Sequence, residues 1–320
     1  MSDTECTGLK PWYDRCTVAL PEITDIAEKR LVPQLVSLGH NEAMLVYRTR
    51  RPNWRILSLF NGSLLETVLN VPPILALKRT DPVLTKLGTS VVVYARTVQD
   101  STRGSVVYRF TLDDRVWQEV VIAGECPPPR ALPVFFPIED SQLIMACGLD
   151  EEDVDTPPQD IWQLDLREKI WTSLGQLPST ANRPQDNAVL LDRYCVFPRR
   201  QGGFSVSFQD AGWVSEDSNW VLCSRREMEL NDVFEILGSY LKRLFIFRPR
   251  HRQALDSLPV CLYDIVSGDL VPCEPLPLYA SSAYSATMLN PTTALFVGST
   301  KTLLVDVLPG ILDADCYKEV

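Results

Sequence analysis

Residues 160–178 read DIWQLDLREKIWTSLGQLP. Ile161, Gln163 and Asp165 alternate with Trp162, Leu164 and Leu166, the two-residue period of a half-buried strand. Arg167, Glu168 and Lys169 are polar enough to turn in water, and Ile170 to Leu174 returns as a second strand. One hairpin says little about a fold, whereas a repeated hairpin decides it.

Laid along the chain in a fixed frame, the pattern recurs. LSLFNGSLL carries Leu57 and Leu64, FTLDDRVW carries Phe110 and Trp117, and WVSEDSNW carries Trp213 and Trp220. YDIVSGDL with Tyr263 and Leu270, and VDVLPGIL with Val305 and Leu312, complete the series. The large apolar residue opening each outer strand falls at 64, 117, 171, 220, 270 and 312, at intervals of 53, 54, 49, 50 and 42. Six units therefore fill the chain.

The residues before each hairpin repeat too. LLDRYCVFPRR (190–200) overlays YLKRLFIFRPR (240–250) without a gap, and QLIMACG (142–148) matches TALFVGS (293–299). Each unit reads as two very apolar strands, a loop and the hairpin, which is the blade of a β-propeller. The expectation is an all-β chain forming one domain over 1–320, a six-bladed propeller of four-stranded blades. Their bounds fall near 31–73, 74–129, 130–183, 184–228, 229–278 and 279–320. The sixth unit is short. PWYDRCTVAL (11–20) has a tryptophan opening, alternation and a following Pro21, so it is expected to supply that unit's outer strand, close the ring and remove an exposed edge, the alternative being a peripheral flap. One stretch points elsewhere: in 226–245, Leu230, Val233, Phe234, Leu237 and Leu241 recur at helical spacing, predicting a helical turn or two at 229–238.

The apolar-Asp-apolar strand, the short turn, the Trp six residues after Asp165 and the Pro-Arg of PPPR at 127–130 together resemble the kelch repeat, and with it the central domain of galactose-oxidase-like propellers. Kelch units end their second strand in Gly-Gly. Only Cys147-Gly148 and Val297-Gly298 approach that here. The resemblance implies a propeller that binds other proteins through its loop face.

Composition bounds the alternatives. There are 24 prolines and 15 glycines, in line with many short strands and polar turns. No apolar run is long enough for a membrane helix, and the opening MSDTECTGLK lacks a secretory pattern. Nine scattered cysteines without a CxxC pair suggest reduced thiols and an intracellular setting, cytoplasmic or nuclear. Two histidines, His40 and His251, lie 211 positions apart, so no His-rich metal site is expected. Glycine-rich phosphate loops are absent, and no catalytic residue, metal or cofactor is assigned. The enzyme alternative is a hydrolase or lyase like the six-bladed sialidases, using central arginines and carboxylates; the nearest turn motif, SEDSNW (215–220), lacks its glycine and spacing.

Charge distinguishes the two faces. The net charge of −10 disfavours nucleic acid. The loops between second and third strands nevertheless carry Arg48, Arg50, Arg51, Arg96, Arg103, Arg199, Arg200, Arg248, Arg250, Arg252 and Lys301 against Asp100, Asp210 and Asp256. Blade connections add Arg130 among others, while the opposite hairpin turns hold Asp113, Asp114, Glu168, Glu216, Asp217 and Asp269. The third blade departs from this with the acidic loop LDEEDVDTPPQD (149–160). Guanidinium groups grip carboxylate and phosphate bidentately. The ten arginines are therefore expected to bind an acidic or phosphorylated segment of another protein. That makes the chain a non-catalytic interaction module or scaffold subunit of a larger complex, with no membrane contact.

Overall fold

The computed structural model describes residues 11–20, 33–47, 53–77, 80–99, 102–139, 141–146, 148–149, 158, 160–176, 189–191, 194–198, 204–209, 220–222, 235–240, 243–247, 257–264, 270–277, 284–298 and 301–308. After β1 (Tyr13–Leu20), the strands follow in groups of four. Sheet 1 is β2 (Pro33–Gly39), β3 (Glu42–Tyr47), β4 (Asn53–Phe60) and β5 (Ser63–Val68); sheet 2 is β6 (Asp81–Leu87), β7 (Ser90–Gln99), β8 (Thr102–Thr111) and β9 (Val116–Glu119). Sheet 3 is β10 (Val134–Glu139), β11 (Gln142–Ala146), β12 (Asp160–Asp165) and β13 (Ile170–Gln176). Sheet 4 is β14 (Val189–Leu191), β15 (Tyr194–Pro198), β16 (Phe204–Gln209) and β17 (Trp220–Leu222). Sheet 5 is β18 (Glu235–Tyr240), β19 (Arg243–Phe247), β20 (Leu258–Asp264) and β21 (Leu270–Leu276). Sheet 6 is β22 (Tyr284–Asn290), β23 (Thr293–Gly298) and β24 (Thr302–Val307), with β1 as its fourth strand.

These six four-stranded antiparallel sheets follow one another as an all-β propeller. The first strand of each sheet is innermost. β22 contacts β2, β2 contacts β6, β6 contacts β10, β10 contacts β14, and β18 contacts β22. The middle residues of the second strands β3, β7 and β11 are apolar because both of their faces are buried. On β3, Ala43, Leu45 and Tyr47 enter the core shared with sheet 6, while Met44 and Val46 enter the core shared with sheet 2. On β7, Val91, Val93 and Ala95 face sheet 1, and Val92 and Tyr94 face sheet 3. Sheets 1 and 2 are thus each glued to both neighbours by one strand of alternating parity.

The chain's two ends meet in sheet 6. β1 pairs antiparallel with β24, Cys16 opposite Val305 and Thr17 opposite Leu304. Trp12 is fully buried in the core between sheets 5 and 6, against Leu276, Phe296 and Leu303. Its indole N–H donates to the Glu274 carbonyl at 2.7 Å, and the Tyr13 hydroxyl donates to the Pro275 carbonyl. Trp117 of β9 makes the corresponding bond to Asn70 O, at the outer end of sheet 1. Trp12 does for sheet 6 what Trp117 does for sheet 2, which is why both outer strands open on tryptophan.

The helical spacing at 229–238 does not give a helix in its described part. Glu235–Tyr240 is β18, paired with Arg243–Phe247 across a register shift between Ile236 and Gly238. Ladder pairing with β19 satisfies the backbone of this six-residue run, which is too short to hold an isolated helix. The helical element among the described residues is a single 3-10 turn, Pro73–Ala76. Leu312 lies outside the described residues.

Candidate functional site on the loop face

Each sheet has one end where its first and third strands begin and its second strand finishes. At that end of the seam between sheets 2 and 3 lies a buried polar knot. Arg130, 1% exposed, sits just before β10 and donates from Nη1 and Nη2 to the two oxygens of Asp160 at 2.7 and 2.8 Å. Its backbone N–H donates to the Tyr94 hydroxyl, and its Nε to the Pro128 carbonyl. The Trp162 indole donates to Asp160 Oδ2 at 2.6 Å. Burial alone would raise the pKa of Asp160, but the hydrogen bonds from Arg130 and Trp162 outweigh it and hold the carboxyl below the usual range. For Tyr94 burial wins, and its hydroxyl stays protonated far above neutrality.

The backbone is fitted around this knot. Ala131 and Leu149 exchange both N–H···O bonds, at 3.0 and 2.7 Å. Leu132 takes a positive φ of 52°. Gly148 has φ +105°, and a Cβ there would stand 2.9 Å from the Ala131 carbonyl and 3.1 Å from the Arg130 side chain. Gly298 is covered likewise by the ring of Tyr284. The two glycines that approach the kelch pattern are thus the places where an incoming first-strand segment lies on the end of the second strand.

Sheet 1 differs at the same end. The Tyr47 hydroxyl, on a residue 1% exposed, and the Gln34 Oε1 are buried and, among the described residues, have no hydrogen-bond partner. Burial pushes the Tyr47 phenol well above its ordinary value, with Arg55 pulling weakly the other way. Arg55 is itself paired with Glu66 and donates to Asn53 Oδ1 at 3.3 Å.

Of the ten arginines expected to form a binding face, Arg96 is placed otherwise. β7 runs on to Gln99, so Arg96 lies inside a strand, 5% exposed, with Nε and Nη2 on Asp81 Oδ2. It is a structural cation, as is Arg130. Arg103 stands within β8 opposite Val98. Arg48, Arg50, Arg51, Arg199, Arg200, Arg248, Arg250 and Arg252 lie outside the described residues, as does most of the acidic 149–160 loop.

The opposite face is a set of tight turns. His40 and Asn41, both with positive φ, make the β2–β3 turn, and Asn290 Nδ2 donates to Asn41 Oδ1 at 2.6 Å across sheets 6 and 1. Arg115 bridges sheets 2 and 1 with two bonds of 2.9 Å to Glu42. Among the described residues no three His, Cys, Asp or Glu side chains converge as metal ligands.

No family profile and no curated protein matches the chain. Solved structures do. YjhT superposes with a TM-score of 0.59 at 11% identity, over 91% of this chain and 95% of YjhT. A copper-bound fungal alcohol oxidase of the AA5 family superposes with a TM-score of 0.54 at 8% identity, over 97% of this chain and 78% of the oxidase. At these identities the likeness shows the fold, an all-β propeller, in line with the kelch-like and galactose-oxidase-like resemblance. The expectation of a chain that is not an enzyme is corrected here. A protein of this same fold is an alcohol oxidase, so a propeller without a visible catalytic motif gives no ground for a non-catalytic assignment. Copper itself finds no ligand set among the described residues: His40 is in an exposed turn, and no cluster of donors surrounds it.

Proposed function

We propose that the six sheets are the blades of one closed, kelch-like ring and that the chain is an enzyme of the hydrolase or lyase type, acting on an anionic substrate held over the loop face. The observation that carries this reading is the pair of buried, unpartnered oxygens of sheet 1 at that end, Tyr47 Oη and Gln34 Oε1. Leaving such a group unsatisfied costs about 1–3 kcal/mol. Folded proteins keep such groups chiefly where a ligand or solvent completes them. The arginines of the second-to-third-strand loops suit a carboxylate or phosphate on that substrate, since the planar guanidinium binds either one bidentately.

The test is a panel of chromogenic glycosides and esters, each with and without a carboxylate, together with an acidic and a phosphorylated peptide. Turnover confined to the carboxylated members, weakening with added salt, supports the reading. Tight binding of a peptide with no turnover of any small substrate overturns it in favour of a protein-recognition surface.

A further inference from the structure

A second feature lies on the opposite, hairpin end of the ring. Lys86 is the penultimate residue of β6, an innermost strand. Leu84, two residues earlier and so of the same parity, packs into the core between sheets 1 and 2, and Lys86 points into that same seam toward β2. Its Nζ lies so close over Gly39, the last residue of β2, that a Cβ added there would stand 3.2 Å away. The amine fits because position 39 has no side chain, and Gly39 needs none at φ +86°.

Lysine ammonium groups ordinarily reach water on a long stem or meet a carboxylate. Lys86 is half-buried, and among the described residues it has neither an ion-pair nor a hydrogen-bond partner. Arg96, on the next strand of the same sheet, has Asp81, and Arg115, at the same end of the ring, has Glu42. Burial without a counter-charge lowers the basicity of Lys86, and a desolvated amine of this kind is a nucleophile.

We infer that Lys86 is a reactive amine that takes small aldehydes as reversible imines at the hairpin end of the ring. The nitrogen lone pair attacks the carbonyl carbon to give a carbinolamine. The former carbonyl oxygen then departs as water, carrying the two hydrogens of the amine, and a C=N bond replaces the C=O bond. No oxidant or reductant is consumed. The site lies at the other end of the ring from the loop face, so it stands or falls apart from the proposed hydrolase or lyase activity.

The test exposes the full-length folded protein at neutral pH to limiting glycolaldehyde with cyanoborohydride, which supplies the hydride that fixes the imine, followed by peptide mapping. Lys86 is expected to be modified severalfold faster than Lys169, an exposed lysine in the β12–β13 turn. The advantage should vanish in urea, where both side chains are solvated. Lys86→Arg should remove that label alone while the melting temperature stays unchanged. Modification of Lys86 at or below the rate of Lys169 in the folded protein overturns the inference, as does a rate advantage that persists in urea.

Discussion

The Arg130 guanidinium and the Asp160 carboxylate, 30 residues apart, meet through two parallel hydrogen bonds of 2.7 and 2.8 Å. The pair ties the entrance of sheet 3 to its third strand, and through the Arg130 N–H and Tyr94 it reaches sheet 2. The partners are unequally buried, with side chains 1% and 25% exposed. Asp160→Asn should therefore be the harsher change, because it strands a buried guanidinium, at a cost of about 3–5 kcal/mol. Arg130→Met leaves a carboxylate that water can reach and should cost less. Urea denaturation midpoints of the two variants check the order; equal or reversed losses would contradict it.

The same pair sets an acid limb. The carboxyl of Asp160 is held below its ordinary range in the folded chain, so its contribution is complete above the unfolded-state value and is lost as pH falls through the folded one. The stability gap between the parent and Asp160→Asn should be widest at neutral pH and should close as acid protonates the carboxylate. Melting temperatures taken down an acid series report this directly. A gap that stays constant with pH would assign the cost to packing instead.

Gly148 and Gly298 should both resist replacement, for different reasons. At Gly148, alanine is opposed by φ +105° and by the Ala131 carbonyl, which is backbone and cannot swing away. At Gly298 the obstacle is the Tyr284 ring. Gly298→Ala should cost about 1–3 kcal/mol as overpacking, and a second change, Tyr284→Ala, should offset part of it. Gly148→Ala has no such rescue. Thermal denaturation of the double variant distinguishes the two cases.

Trp12 is the bolt of the last sheet. Trp12→Ala empties a fully buried indole site and should cost about 3–5 kcal/mol. Removing residues 1–20 should cost at least as much, since it also bares the edge of β24. A truncated protein that melts with the full chain would show the N-terminal strand to be peripheral.

What was legible in the sequence follows from which physics dominates locally. The outer-strand openers Leu64, Trp117, Trp171, Trp220 and Leu270 stand at the first or second position of β5, β9, β13, β17 and β21, because a half-buried hairpin writes its period into the residues. The pairing of Tyr13–Leu20 with β24 was legible for the same reason. Arg96 was misread because a loop boundary was placed at a charge, whereas Asp81 neutralises that charge and lets β7 continue. Arg130 carries the PPPR motif, yet nothing local says that its partner is Asp160. The unpartnered Tyr47 hydroxyl left no trace in sequence either, since a tyrosine ending an apolar strand looks like core. The expectation of no enzyme rested on missing motifs, and a propeller holds its functional groups on separate loops that no short motif joins.

Turnover of the anionic substrate is assigned to the loop face, not to the acidic turns of the hairpin face. The most direct measurement compares kcat/KM for the best anionic substrate between two variants shown by melting temperature to be folded. One carries Arg199, Arg200, Arg248, Arg250 and Arg252 replaced by Gln; the other carries Asp113, Asp114, Glu216 and Asp217 replaced by Asn. The arginine set should lose at least about 2 kcal/mol of transition-state stabilisation, roughly thirtyfold in rate, with little change for the acidic set. Unchanged turnover in the arginine variant, or a loss confined to the acidic one, would contradict the assignment.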